Sequence, residues 1–388
     1  MITPTAGRFA LGDFLTRWAP VAHHDLSRSD SETLSLASLL QMASAENAAR
    51  WSEHTLGYTD PRGDRRLRAA IAARHETLDA DHVLCCCGAQ EAVYCALQAI
   101  LEPDLPAGDL HAVLLLPIYQ PSELALARLC AVTGVALQEA DDWQPDIDRI
   151  EAALRPETRL VLMNYPNSPT GASLDPARLD ALVALCRKHG LWLINDEIYR
   201  QTEIVQPCGR SPMLADHYER GVSINGLSKG FGLPGLRVGW IACHNTALLK
   251  RALLAKSSLS SCLAASSEIL AEIALSAESQ IVSRSRATGA ANLHRLQAIL
   301  GSLPDLFEFD RPRNLAFSCC RFLGAEGATG FALRLAREAG VLALPIGLWL
   351  SPLALLPRDR LRLGLGHIQC SRALEALGAA CTPFVGAA

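Results

Sequence analysis

Between about residue 80 and residue 243 the apolar positions gather into short runs: "HVLCC", "HAVLLLP", "GVALQEA", "RLVLMNYP", "LWLINDE", "VSING" and "VGWIACH". Several are apolar throughout instead of alternating, the pattern of strands covered on both faces of a mostly parallel sheet. Between them, "ELALARLCAVTG" and "DPARLDALVALCRKHG" carry helical periodicity, and each ends in Gly, a helix stop signal. The alternation predicts an α/β domain with a mostly parallel, seven-stranded sheet. Ligands of such sheets gather at the carboxyl ends of the strands.

A long helical stretch from about Ser266 to Leu300 comes next and leads into a smaller C-terminal α+β domain. The first forty residues contain no clear strand. We expect an N-terminal segment (1–45) packing with the small domain, a large ligand-binding domain (46–280) and the small domain (281–388). One uncharged run, "GVLALPIGLWLSPLALLP" from Gly340 to Pro357, approaches membrane-spanning length. Pro345, Pro352 and Pro357 interrupt it, so a strand followed by an apolar loop is expected and no membrane helix.

Composition narrows the classes. The 388 residues suffice for two domains, and 20% charged with 49% apolar residues describe an ordinary globular chain. A formal charge of −4 argues against nucleic acid or an anionic membrane as the main partner. The densest basic cluster, Arg62, Arg65, Arg66 and Arg68, has Leu67 and Ile71 on its opposite face and reads as a solvated helix face or an interface. Thirteen cysteines, an odd count without framework or zinc spacing, read as reduced, small apolar residues of a cytoplasmic protein.

Three of them, Cys85, Cys86 and Cys87, are consecutive, and along a strand consecutive side chains point to opposite faces, so they cannot converge on one metal. The next three residues are more informative. Gly88-Ala89-Gln90 opens an amphipathic helix, and a glycine turn at a helix N-terminus presents free N–H groups to an anion. Further polar groups sit where the sheet should place ligands. "WLINDEIYR" ends a strand with Asp196 and continues to Tyr199; "INGLSKGFGLPGLRVGW" holds Lys229 among small and apolar residues, eight before Arg237. "NYPNSPTG" ends another strand in a proline-fixed turn, "IYQP" places Tyr119 beyond a third, and "LGYTDPRG" supplies Tyr58. Singly, each reads equally well as a cap, an ion-pair partner or a loop residue. Together, an anion-binding helix, an amine, an acid, a phenol and a stacking aromatic are the parts that pyridoxal phosphate requires.

On these motifs, from "LGYTDPRG" to "DRLRLGLGH", the sequence resembles the fold type I pyridoxal-phosphate enzymes of the class I/II aminotransferase family. The resemblance implies an aspartate aminotransferase-like fold. It also implies that Lys229 holds the cofactor aldehyde as an imine, Asp196 pairs with the pyridine nitrogen and Tyr199 reaches the 3-oxygen. Tyr119 would stack on the ring; Gly88, Ala89, Gln90, Ser228 and Arg237 would bind the phosphate. Tyr58 would reach the phosphate of a neighbouring subunit in a homodimer. Arg362 would grip the substrate carboxylate, with Arg360 as its rival, and the loop carrying Leu348 and Trp349 would border the substrate pocket.

Two departures stand out. Ser168 occupies the position before Pro-Thr-Gly where members usually carry Asn, leaving Asn164 or Asn167 to substitute at the 3-oxygen. Gly226 stands three residues before the lysine, where many members place a phosphate-binding Ser or Thr. A catalytic thiol at Cys87 is not expected.

The implied activity is conversion of an L-α-amino acid through a cofactor imine and a Cα carbanion, with an aminotransferase ranked first. The N-terminal segment more weakly resembles cyclases that make capreomycidine-type cyclic guanidino amino acids for antibiotics, so a β/γ-elimination lyase or cyclase is the alternative. Asp30 and Glu32 are the candidates for holding a guanidinium. A non-catalytic sensor would need a DNA-binding domain ahead of the match, for which no room is expected.

Overall fold

The computed structural model describes residues 9–101, 110–309 and 313–381. In chain order the strands are β1 His24–Asp25, β2 Val83–Cys86, β3 His111–Leu116, β4 Ala131–Ala136, β5 Thr158–Asn164, β6 Trp192–Asp196, β7 Gly221–Gly226 and β8 Gly239–Ala242. After these come β9 Phe307–Glu308, β10 Phe317–Phe322, β11 Val341–Leu342, β12 Leu344–Pro345 and β13 Arg360–Gly364.

All seven apolar runs form strands of one seven-stranded sheet in the order β2-β8-β7-β6-β5-β3-β4. Its pairs are parallel except those of β8, which runs antiparallel to β2 and β7. Helices cover both faces, so β2, β3, β7 and β8 are buried from end to end, whereas the edge strand β4 is largely half-buried. Cys85 and Cys86 show the resulting alternation: Cys85 packs with Leu67, Ile71 and Trp240, whereas Cys86 joins Leu97, Leu114 and Ile224 on the other side.

A second, four-stranded antiparallel sheet, β12-β13-β10-β9, packs against the C-terminal helices. Its core runs from Leu293 to Cys381 and includes Leu26 from the N-terminal segment. β1 pairs in parallel with β11, so the first forty residues do contain a strand, one too short to show a pattern. The helical stretch after residue 264 is two helices, Ala265–Ser276 and Glu278–Gly301.

Two local expectations are corrected. The helix read from "ELALARLCAVTG" spans Gln120–Ala127 only, and Gly134 lies within β4. Gly134 marks close packing and no helix end: a Cβ there would meet Leu353 and Leu116 side-chain atoms at 2.7 and 2.8 Å. Arg68, one of the cluster read as a solvated helix face or an interface, is instead buried within the chain, with its guanidinium donating to the carbonyls of Gly63 and Ala80. Among the described residues, no helix is long and apolar enough to cross a membrane.

Candidate active site

The functional groups gather at one edge of the large sheet. β2 delivers Gly88–Gln90, β3 delivers Tyr119, β5 leads to Ser168, β6 ends on Asp196 just before Tyr199, and β7 leads to Ser228 and Lys229. β8 runs the opposite way, with Gly239 registered against both Gly226 and Cys86, so its beginning brings Arg237 to the same edge. A cavity of about 430 Å³ opens there. Ala89, Gln90, Tyr119, Ser168, Asp196, Tyr199, Ser228, Lys229, Arg237 and Arg362 all line it. These positions are scattered along most of the chain, and the fold alone unites them.

At the anion end, Gly88 has φ +98° and stands just before the helix Ala89–Leu101. A Cβ at Gly88 would collide with the Arg237 guanidinium, so only glycine lets that cation lie against the helix N-terminus. Arg237 is held there by the carbonyls of Pro234 (3.1 Å) and Cys87 (3.4 Å). Gly226 has no room for the missing hydroxyl residue, because a Cβ would lie 2.8 Å from the Val238 carbonyl oxygen.

At the centre is Asp196. It accepts one backbone N–H, from Ile198 at 3.1 Å. Burial pushes its carboxyl up to about 7, against the smaller opposing pull of the Ile198 N–H and the Lys229 charge. Asp196 forms no ion pair among the described residues, and a protonated pyridine nitrogen would supply a cation against it. Asn164, at the end of the neighbouring strand, donates to the Asp196 backbone carbonyl at 2.6 Å and to that of Pro166 at 3.2 Å.

The amine of Lys229 donates to Ser29 Oγ at 3.1 Å, and the Tyr199 hydroxyl donates to the same oxygen at 2.9 Å. Arg362 is buried, donating to the Ser27 carbonyl at 2.5 Å and to Ser168 Oγ at 3.4 Å. Its Nε is buried without a partner, and burial lowers its pKa. A desolvated cation with a vacant donor is a receptor for a carboxylate. The donor set and the Gly88 cradle therefore fit pyridoxal phosphate and an amino acid.

Five of the expected or candidate site residues lie elsewhere. Asn167 is buried but outside the lining; its amide ties Pro117 O, Asn164 O and Thr170 together as a loop brace. Trp349 backs the Arg362 guanidinium at 4.8 Å and does not line the cavity, and Leu348 packs with Leu11 and Phe14. Tyr58 is 96% exposed and belongs to a separate surface hollow. Arg360 pairs with Glu139 and lies over Trp143, so of the two neighbouring arginines Arg362 is the one that lines the cavity.

Of the two guanidinium candidates, Asp30 lines the cavity and Glu32 does not; the Glu32 carboxylate accepts the Ile368 N–H. Burial pushes the Asp30 carboxyl up, but His367 and Arg28 outweigh it and hold Asp30 well below the usual carboxylate range. Sequence reasoning missed Ser27, Ser29 and the apolar wall of Phe9, Leu11 and Leu15. The helix Ala10–Trp18 is amphipathic, which was the one available signal for that wall.

Residues 25–377 match the family described as aminotransferase class I and II. Among curated proteins, the chain is 36% identical over 194 residues to arginine–pyruvate transaminase AruH of Pseudomonas aeruginosa, covering 47% of each chain. It thus spans about half the length of that relative. It is 30% identical over 305 residues to the probable N-succinyldiaminopimelate aminotransferase DapC of Mycobacterium tuberculosis, covering 75% of this chain and 74% of DapC. To capreomycidine synthase of Streptomyces vinaceus it is 29% identical over 287 residues, 73% of this chain and 71% of the other. The solved structure of the M. tuberculosis enzyme superposes with a TM-score of 0.82 at 25% identity, over 97% and 99% of the two chains. That of the PLP-dependent cyclase OrfR gives 0.84 at 25% identity, over 99% of both.

Proposed function

The chain belongs to the aminotransferase class I and II family, whose cofactor is pyridoxal phosphate, and on that premise we propose that it is an aminotransferase acting on an L-α-amino acid. Bound in this cavity, the cofactor supplies an aldehyde that condenses with amines and a ring that takes up the electrons of a Cα carbanion. The observation that carries the reading is the meeting of the Lys229 amine and the buried Asp196 carboxyl in one cavity that Ala89 and Gln90, at a helix N-terminus, and Arg362 also line.

The roles follow from position. Ala89, Gln90, Ser228 and Arg237 hold the phosphate at the helix N-terminus. With the cofactor bound, Asp196 would keep a proton at the pyridine nitrogen, Tyr199 would turn its hydroxyl from Ser29 to the 3-oxygen, and Tyr119 would cover a ring face. Lys229 anchors the aldehyde and moves the Cα proton. Arg362 orients the substrate carboxylate. Tyr58, exposed on its own protomer, completes the phosphate site of a second subunit in a homodimer. None of the thirteen cysteines forms a disulfide among the described residues, and ten are buried, which supports a reducing, cytoplasmic setting.

A second reading, a lyase or cyclase acting on a guanidino amino acid in antibiotic biosynthesis, is favoured by Ser168. Its hydroxyl accepts from Arg362, while the Asn164 amide is engaged by backbone carbonyls, so no amide reaches for the 3-oxygen. The similarity to capreomycidine synthase and OrfR supports it over most of the chain.

The test is a visible absorbance titration of the cofactor-loaded protein with single L-amino acids, arginine and hydroxylated arginines included, without keto acid. Bleaching of the visible band with one equivalent of keto acid released is the expected result. Turnover of a hydroxylated arginine without keto acid would replace the first reading by the second. Absence of a lysine-linked visible band after adding pyridoxal phosphate would overturn both.

A further inference from the structure

The segment 26–32 lies across the lysine loop and the edge of β13. Backbone bonds pin it on both sides: Ser31 N–H donates to Lys229 O at 3.1 Å, Glu32 N–H to Gly366 O at 2.7 Å, and Gly364 N–H to Leu26 O at 2.6 Å. The approach is so close that Cβ atoms at Gly232, Gly364 and Gly366 would strike the carbonyls of Glu32, Arg28 and Asp30, respectively. Arg362 adds a bond to Ser27 O. A serine hydroxyl held this rigidly is a placed group.

That hydroxyl, on Ser29, is 6% exposed at the residue level and lines the cavity. Its oxygen accepts from Lys229 Nζ at 3.1 Å and from the Tyr199 hydroxyl at 2.9 Å, while Nζ stands 5.6 Å from the Tyr199 ring centroid. Both lone pairs are therefore engaged, and the Ser29 O–H proton is left for a third group.

We propose that Ser29 is a catalytic residue that receives the Lys229 amine whenever that amine is free and aims it at the substrate Cα. This rests on the proposed function above. In the step it serves, the Cα–H bond breaks and the proton passes to the Nζ lone pair. The C–H electron pair stays with the substrate. Nζ becomes an ammonium and keeps its three protons, with the Ser29 oxygen accepting a hydrogen bond from one of them. Reversal at the acceptor carbon returns the proton from Nζ. Tyr199 shares the same oxygen in this structure, which sets the phenol beside the amine. A loss of that one hydrogen bond leaves a flexible four-carbon amine unaimed, and we expect about a tenfold slowing of proton transfer.

The experiment uses protein loaded with pyridoxal phosphate in deuterium oxide and tracks exchange of the Cα proton of each common L-amino acid by NMR. For the amino acid that wild-type protein exchanges fastest, Ser29→Ala should exchange about ten times more slowly. Its visible cofactor band, melting midpoint and KM should be unchanged. Ser29→Thr, which keeps the hydroxyl, should restore most of the rate, and Ser29→Cys, with a weak acceptor of similar shape, should behave as Ser29→Ala. If Ser29→Ala, or Ser29→Cys should the alanine variant fail to fold, exchanges at the wild-type rate, the role assigned to Ser29 is wrong and the family reading stands. If the wild-type protein exchanges no amino acid, the proposed function itself fails and takes this inference with it.

Discussion

Arg362 stacks on Trp349, with the guanidinium carbon 4.8 Å from the indole centroid, and holds its remaining donors toward Ser27, Ser168 and the cavity. A planar cation is needed for both the stack and the fork. Arg362→Lys should therefore raise KM for the amino acid by about two orders of magnitude, equivalent to roughly 2–3 kcal/mol of charge-assisted bonding, with a smaller fall in kcat. Steady-state kinetics checks it; an unchanged KM would remove Arg362 from the carboxylate site.

Arg360, two residues earlier on the same strand face, is the contrasting case. It is buried against Trp143 and paired with Glu139. Arg360→Met should leave KM within about twofold while lowering the denaturation midpoint, since the half-buried Glu139 would lose one of its partners, Arg321 remaining. Urea denaturation alongside kinetics separates the two arginines.

Asp196 makes the apoprotein sensitive to pH. Its carboxyl titrates near 7 in the folded chain, above the ordinary carboxylate range of the unfolded one. Between about pH 4 and 7 the folded state therefore binds more protons, and this group's contribution to stability falls as pH rises, levelling off above 7. Asp196→Asn, a neutral mimic, should raise the melting temperature of apoprotein at pH 8 and leave it nearly unchanged at pH 4. The same substitution should lower kcat of the loaded enzyme by at least about 10²-fold, because the pyridine nitrogen loses its partner. Apoprotein no more stable at pH 8 on substitution would contradict the burial argument.

Gly226 is the place where a phosphate-binding hydroxyl is absent. Gly226→Ser should not improve cofactor affinity: the new Cβ would sit 2.8 Å from Val238 O between two paired strands. A lowered melting temperature, by several degrees, and weaker pyridoxal-phosphate binding in a fluorescence titration are expected.

Tyr58 supplies a test of the dimer. Lys229→Ala and Tyr58→Ala proteins should each be nearly inactive alone. Mixed and allowed to exchange subunits, they should regain up to about a quarter of wild-type activity, because one heterodimer site carries both intact residues. No recovery in subunit-exchanged mixtures would place Tyr58 outside the partner's site.

Much of this was written locally along the chain. Each sheet strand is an apolar run bounded by turn residues, so the seven-stranded core and the polar groups at its carboxyl edge were legible in periodicity and in the short motifs around Gly88, Asp196 and Lys229. What stayed hidden depends on contacts between distant segments. Ser29 and Lys229 are 200 residues apart, and nothing near Ser29 signals that Gly232, Gly364 and Gly366 leave space for its segment between the lysine loop and the end of β13. Arg360 and Arg362 share a strand face and cannot be told apart by pattern; Glu139 and Trp143, brought from another element, decide between them. Asn167 fitted the motif as well as Asn164 until the turn's own hydrogen bonds claimed its amide. Local pattern determined the elements and the chemistry on offer, because burial on a sheet tracks side-chain periodicity. Only the packed structure decided which groups meet, because that is set by close approaches between segments with no shared period.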